Sequence, residues 1–213
     1  MSGQWRFPIS SLITGLSIYM LTRTRFTVVP YLVAAVVAIG SKYVFRTSKG
    51  HVFNPANVGI LTAFAFLPHL ALPGADQWAG TPQLLILFYL IGLSVAGYAK
   101  RLPLALSYMG VLLSLTLLRS MFSELSVFYL LGPTLGTAGV IFAFHMITDP
   151  KTTPSSYKQQ IVMGTVVALL DCLLRCFEVF YAPFIALAVV SGLYNIWIYA
   201  ATDQRTSYSY PKP

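Results

Sequence analysis

Two short segments hold most of the residues in this chain that are equipped to bind or polarise a ligand: Asn54-Pro55-Ala56-Asn57 and Thr148-Asp149-Pro150-Lys151. In each, an Asn or Asp precedes a proline where one long apolar run gives way to the next. An Asx side chain caps exposed backbone N–H groups at a helix start, and proline fits the first turn, where its missing N–H costs nothing. The pair predicts helix starts at Asn54-Pro55 and Asp149-Pro150, in corresponding places of two halves. Two positive dipole ends facing one buried site would favour an anionic or electron-rich ligand. Asn54, Pro55, Asn57 and Gly59 would then offer a helix N-terminus to a phosphate or carbonyl oxygen. The alternative for the same residues is an ordinary cap where the chain meets the membrane.

Around the second motif, Thr148, Thr152 and Thr153 add hydroxyls, and Lys151 is placed to pair with Asp149 or with a ligand phosphate. His145, one turn before Asp149, suits a proton relay, a ring contact or a buried hydrogen bond. Asp171 and Arg175 stand at ion-pair spacing on one helix, where a functional intramembrane charge and a pair at the interface are both open readings. Asn195 is a polar group in the last apolar run, suited to bonding another helix or lining a cavity. Cys172 and Cys176 lie four apart, and two thiols alone make no zinc site. No phosphate-binding glycine loop, zinc-protease motif or catalytic triad is present in the sequence.

These residues must be positioned by something other than a water-soluble fold. Of the 213 residues, 56% are hydrophobic and only 9% charged, where a soluble domain carries roughly 25% charged residues. Mean hydropathy is +0.71. The apolar runs fall at about 8–22, 27–45, 56–73, 82–98, 103–119, 126–147, 159–176 and 180–201, without the alternation of a transmembrane barrel. The expected fold is all-α: a polytopic helical membrane protein of about eight segments, the first short for a full span. It would form one membrane domain over 1–201, in halves of about 8–98 and 103–201, with a polar cytoplasmic tail over 202–213. Residues 71–82 read as an exposed turn region, with Trp78 as an interface anchor.

The net charge of +8 resides at segment ends, with no basic stripe interleaved with aromatics, so nucleic acid is not an expected partner. Lys42, Arg46, Lys49, His51, Lys100, Arg101, Lys151 and Lys158 would share one side, which places both termini in the cytoplasm. Arg23 and Arg25 are the main exception. Arg6 and its apolar run lack a small-residue cleavage site, so the run is expected to stay as the first membrane helix.

Read in order, the motifs resemble the membrane family that contains the D subunit of the Rnf electron-transport complex and the B subunit of the sodium-pumping NADH:quinone oxidoreductase. The resemblance starts weakly at Leu12-Ile13-Thr14-Gly15 and strengthens at His51-Val52-Phe53-Asn54-Pro55-Ala56-Asn57-Val58-Gly59. It is strongest from Ala143 through His145, Thr148-Asp149-Pro150-Lys151 and Pro154, and it continues through Arg175-Cys176-Phe177 to Asn195. The middle, about 75–125, is not covered. The resemblance implies a bacterial-type inner (plasma) membrane subunit of two related halves with a flavin between them. It also implies partner redox and membrane subunits in the same bilayer, with electron flow coupled to ion movement. By that resemblance Asn54, Asn57, Thr148 and Asp149 would line the flavin side, and Arg175 would stabilise it or pair with Asp171. The family's Ser-Gly-Ala-Thr-like attachment motif for covalent FMN is absent; Leu135-Gly136-Thr137-Ala138 differs in order. A noncovalent FMN or riboflavin, or no flavin, is therefore expected rather than covalent FMN. At most the chain would be one subunit of a membrane oxidoreductase. A small-solute transporter or channel, and a redox-inactive structural subunit, are the competing functions.

Overall fold

The computed structural model describes residues 9–24, 26–47, 50–74 and 81–207. Trp78 and residues 208–213 lie outside the described residues. In chain order the elements are α1 (Ile9–Leu21), β1 (Thr22–Thr24), α2 (Val29–Val44), β2 (Arg46–Thr47), β3 (Gly50–His51), α3 (Pro55–Phe66), β4 (Ala71–Pro73) and α4 (Pro82–Tyr98). They continue with α5 (Leu102–Ser120), α6 (Val127–Leu135), α7 (Thr137–Ile141), a π-helical segment (Phe142–Met146), α8 (Tyr157–Cys176) and α9 (Ala182–Ser207). The chain is mostly helical, and each apolar run contains a helix. α9 runs on through residues 202–207.

Proline sits in the first turn of α2, α3, α4 and α5, where its fixed φ suits a helix start. The run 56–73 is helical only to Phe66; Ala71–Pro73 then pairs antiparallel with Thr22–Thr24. The expected exposed turn thus begins as a strand, which gives backbone groups beyond two short helices a partner. The run 126–147 is not one helix. Pro133 has no N–H to donate, and Gly136 is extended at φ −70°, ψ 172°, so α6 stops and α7 starts afresh. α7 then widens into a π turn closed by Ile147 N–H donating to Phe142 O at 3.0 Å.

Among the described residues, four segments are long and apolar enough to cross a membrane: Leu102–Ser120, Val127–Met146, Tyr157–Cys176 and Ala182–Tyr199. Only 28–39% of each window is buried inside the protein, and Leu117, Val162, Leu173 and Leu193 stand exposed along them. Apolar surface on that scale needs a non-aqueous neighbour, which is the physical basis for reading the chain as a membrane protein. Interhelix packing uses small residues, as expected where lipid tails give helices no hydrophobic reason to associate. Gly59 is pressed against the Ala34 carbonyl, with Ala34, Ala38 and Ala63 fully buried beside it, so α2 and α3 touch backbone to backbone. Gly164 plays the same part for α8 against Leu104 and Ser107 of α5. The central strip is Val140–Phe144 with Met146 and Ile147, all buried, packed by α4 and α5.

Candidate functional site

The helix start at Asn54 forms as the sequence predicts. Asn54 is extended (φ −63°, ψ 121°), its Oδ1 accepts from Asn57 N–H, and Pro55 opens the helix. Its Nδ2 reaches across to the other motif and donates to Met146 O at 3.0 Å. The first turn is nearly spent by its own cap. Pro55 has no donor, Asn57 N–H is held at 3.2 Å by Asn54 Oδ1, and Val58 N–H donates to Asn54 O at 3.1 Å. Ala56 supplies the remaining early amide, so α3 offers an incoming anion little beyond its dipole.

Asp149-Pro150 is not a helix start, which corrects the sequence reading. Asp149 Oδ1 accepts from Lys151 N–H at 3.0 Å, and Asp149 O accepts from Thr152 N–H at 3.2 Å and from the Thr153 hydroxyl at 2.6 Å. Asp followed by Pro is equally the opening of a β-turn, and here the turn wins. Pro154 then biases Thr153 away from helix, and α8 begins only at Tyr157. A single helix N-terminus therefore faces a turn, in place of the expected pair of dipole ends.

The two motifs nevertheless meet. Asn54, Pro55, His145, Thr148, Asp149, Pro150 and Lys151 line one groove of about 670 Å³. Its apolar wall comes from α1 and α4, including Ile13, Leu16, Phe88, Ile91 and Val95. Its polar end carries Lys42, His51, Ser10 and Thr14, residues the sequence reading did not place at a site. Lys42 Nζ donates to Thr14 Oγ1 at 3.0 Å and Ser10 Oγ at 3.2 Å. Burial first, then the charges of Lys151 and Lys42, hold the His51 imidazole below its usual pKa, with Asp149 opposing. His51 Nδ1 is buried without a hydrogen-bond partner. The hydroxyl of Thr148 is engaged with Phe144 O at 2.6 Å and that of Thr14 with Ser10 O at 2.8 Å.

Four predicted site residues do not line the groove. Asn57 is fully buried and donates through Nδ2 to Phe184 O at 2.9 Å, bracing α3 to α9. Gly59 is a packing contact against α2. Asn195 is a clasp: its Nδ2 lies 3.0 Å from Val52 O, before the first motif, and 3.0 Å from Thr152 O, after the second. Arg175 lies away from the groove and pairs with Asp171, Nε to Oδ1 at 2.8 Å and Nη2 to Oδ2 at 3.1 Å. Tyr108 donates to the same carboxylate at 2.7 Å. Arg101, which the sequence reading used only as a topological charge, is buried and donates to Thr153 Oγ1 at 3.0 Å and Pro150 O at 3.4 Å. It fixes the turn from behind.

A second cavity, of about 740 Å³, lies at the other end of the bundle and takes in Arg119, Arg175, Glu178 and Phe180. Arg101, at the start of α5, holds the motif turn, whereas Arg119 and Arg175 stand in the last turns of α5 and α8. The two cavities share a wall: Ala138, Gly139 and Phe142 face this one, while Ile141 and His145 face the groove. Among the described residues, no three His, Cys, Asp or Glu side chains gather as a metal site would require. No protein-family model and no curated protein matches this chain.

Proposed function

We propose that this chain is an integral membrane subunit of an electron-transport complex, of the kind it resembles in the Rnf and sodium-pumping NADH:quinone oxidoreductase assemblies, and that the motif groove holds a noncovalent flavin. The observation that carries the reading is the convergence of the two Asx-Pro segments, from opposite halves of the chain, on one amphiphilic groove. Its volume is within the range of ligand sites, and such sites combine apolar walls with few polar groups. The residues present fit the group. Ile13, Leu16, Phe88 and Ile91 would keep water from a flat ring. Lys42 and Lys151 would balance a phosphate, since α3 itself has almost no free amide to give. The threonine hydroxyls at hand are engaged with backbone carbonyls, in keeping with noncovalent attachment. A bound flavin would supply exchange between two-electron and one-electron chemistry; the chain's own part is to orient it and exclude water.

In this reading α1–α4 complete an eight-segment bundle. At about 1.5 Å per residue, the 13 residues of α1 and 12 of α3 fall short of the hydrocarbon core, and the β1–β4 pair extends them at the far end. Lys42, His51, Arg101, Lys151 and Lys158 share the motif end, which by the positive-inside rule is cytoplasmic. The test is a visible spectrum of the chain purified with its partner subunits. Flavin absorbance that bleaches on reduction supports the reading; an assembly without any redox-active centre ends it.

A second reading, a small-solute carrier, is favoured by one observation: the broken segment α7–π is a wall shared by two cavities at opposite ends. Broken helices at such positions are typical of carriers. Solute flux in proteoliposomes without reductant separates the two, because an electron-transfer subunit moves nothing unaided.

A further inference from the structure

The second cavity combines two features. Its walls are apolar, with Leu72, Leu130, Phe142 and Phe184 among them, yet it carries two opposite charges that do not pair with each other. Among the described residues the ion pair of this region is Asp171–Arg175. That bond engages Arg175 through Nε and Nη2 and fully buries Asp171, so the two charges cancel. Arg119, half-buried in the last turn of α5, and Glu178, exposed just beyond α8, are left as one spare cation and one spare anion on the same cavity.

The position of the cavity says what meets it. It lies where α5 and α8 stop, each having run 19 and 20 residues, about the length that crosses a bilayer. A cavity at that height is level with lipid headgroups. Two aromatic residues of its lining face outward, Tyr129 at 70% and Phe180 at 84% exposure, and Phe122, Phe128 and Phe177 are exposed in neighbouring stretches of the chain. A tyrosine at the end of a membrane bundle, as at Tyr129, suits the interfacial layer. The half-buried Arg119 sets its charge beside that layer in the manner of a snorkelling side chain.

We propose that this cavity is a binding site for a zwitterionic phospholipid with a primary ammonium, an ethanolamine phospholipid of the leaflet at that end. The phosphate sits on Arg119, the ammonium donates to the Glu178 carboxylate, and an acyl chain follows the apolar wall. A choline headgroup has no N–H to donate to Glu178, and a glycerol headgroup has no cation. The pair of unpaired charges therefore selects ethanolamine, whereas an arginine-only site would select net negative lipids. The proposal is independent of what fills the motif groove.

The experiment is native mass spectrometry of the full chain in detergent, titrated with dioleoyl phosphatidylethanolamine, phosphatidylcholine or phosphatidylglycerol. One ethanolamine lipid should bind about tenfold more tightly than the choline lipid, the scale of one charge-assisted hydrogen bond. Glu178→Gln should erase that preference while leaving choline-lipid binding within about twofold. Arg119→Gln should weaken both lipids about tenfold, and Arg119→Lys should restore most of the loss, which separates charge from packing. Equal binding of the three lipids, a preference for phosphatidylglycerol, or a Glu178→Gln chain that keeps its ethanolamine preference would each overturn the proposal. Far-ultraviolet circular dichroism shows which variants are folded, and Glu178→Gln changes an exposed side chain and tests the selectivity by itself.

Discussion

Replacing Asn54 by alanine is the sharpest perturbation of the joint between the two motifs. The wild-type side chain makes two contacts with different purposes: Oδ1 caps α3 at Asn57 N–H, 3.2 Å away, and Nδ2 bridges to Met146 O at 3.0 Å. Losing the cap costs about 0.5–2 kcal/mol. Leaving a buried carbonyl without its donor costs about 1–3 kcal/mol. Asn54 is only 7% exposed, so water does not replace either partner, and Asn54→Ala should lose roughly 1.5–4 kcal/mol, allowing for incomplete additivity between neighbouring contacts. Asn54→Ser separates the parts: serine retains capping ability but cannot reach Met146, so it should lose the bridge alone. Equilibrium unfolding in mixed detergent micelles, followed by circular dichroism, reads both variants. An alanine variant within about 0.5 kcal/mol of wild type, the ordinary range for neutral surface changes, would refute the reasoning. So would a serine variant as damaged as the alanine one, because then capping contributes nothing.

Three other contacts carry expected outcomes of their own. Arg175→Ala should cost about 3–5 kcal/mol, because it leaves Asp171 buried without its cation; Arg175→Met with Asp171→Asn should recover part of that, as the same unfolding assay would show. Gly59→Ala drives a Cβ into the Ala34 carbonyl and should cost about 1–3 kcal/mol as overpacking, measured as a lowered melting temperature. The depressed pKa of His51 means the folded chain binds that proton less readily than the unfolded chain. Stability should therefore be fully present above the unfolded imidazole pKa of about 6.5 and fall as pH drops from there through the folded value; His51→Gln should flatten that part of the stability profile relative to wild type.

Much of the architecture could be read from the chain because apolar runs and proline-opened helices are local signals. Asn54-Pro55 opens a helix as expected, since both the cap and the proline act within four residues. Asp149-Pro150 uses the same residue types for a turn, and only the downstream residues decide between the two: a pair of threonines that bond back to Asp149 and a second proline at 154. The break in 126–147 falls at Pro133 and Gly136, but hydropathy alone merges the pieces, and the run reads as one segment. Arg175 and Asp171 show the value of spacing: the i,i+4 pair forms, and Arg175 stands away from the motif groove. Lys42 and His51 escaped notice because charge at a segment end reads as topology. Their place in the groove depends on how α1 and α2 pack, which no local pattern encodes. The roles of Asn57, Gly59 and Asn195 are likewise tertiary: each is defined by the element it touches.

The proposal that the groove joining the two motifs binds a flavin through cations at its polar end is most directly tested by fluorescence-quenching titration. The purified full chain is titrated with FMN and with riboflavin, for wild type, Lys42→Gln and Lys151→Gln. Saturable binding of both flavins is predicted, with each substitution weakening FMN about tenfold and riboflavin, which has no phosphate, much less. No saturable quenching by either flavin, or equal losses for both in the lysine variants, would contradict it.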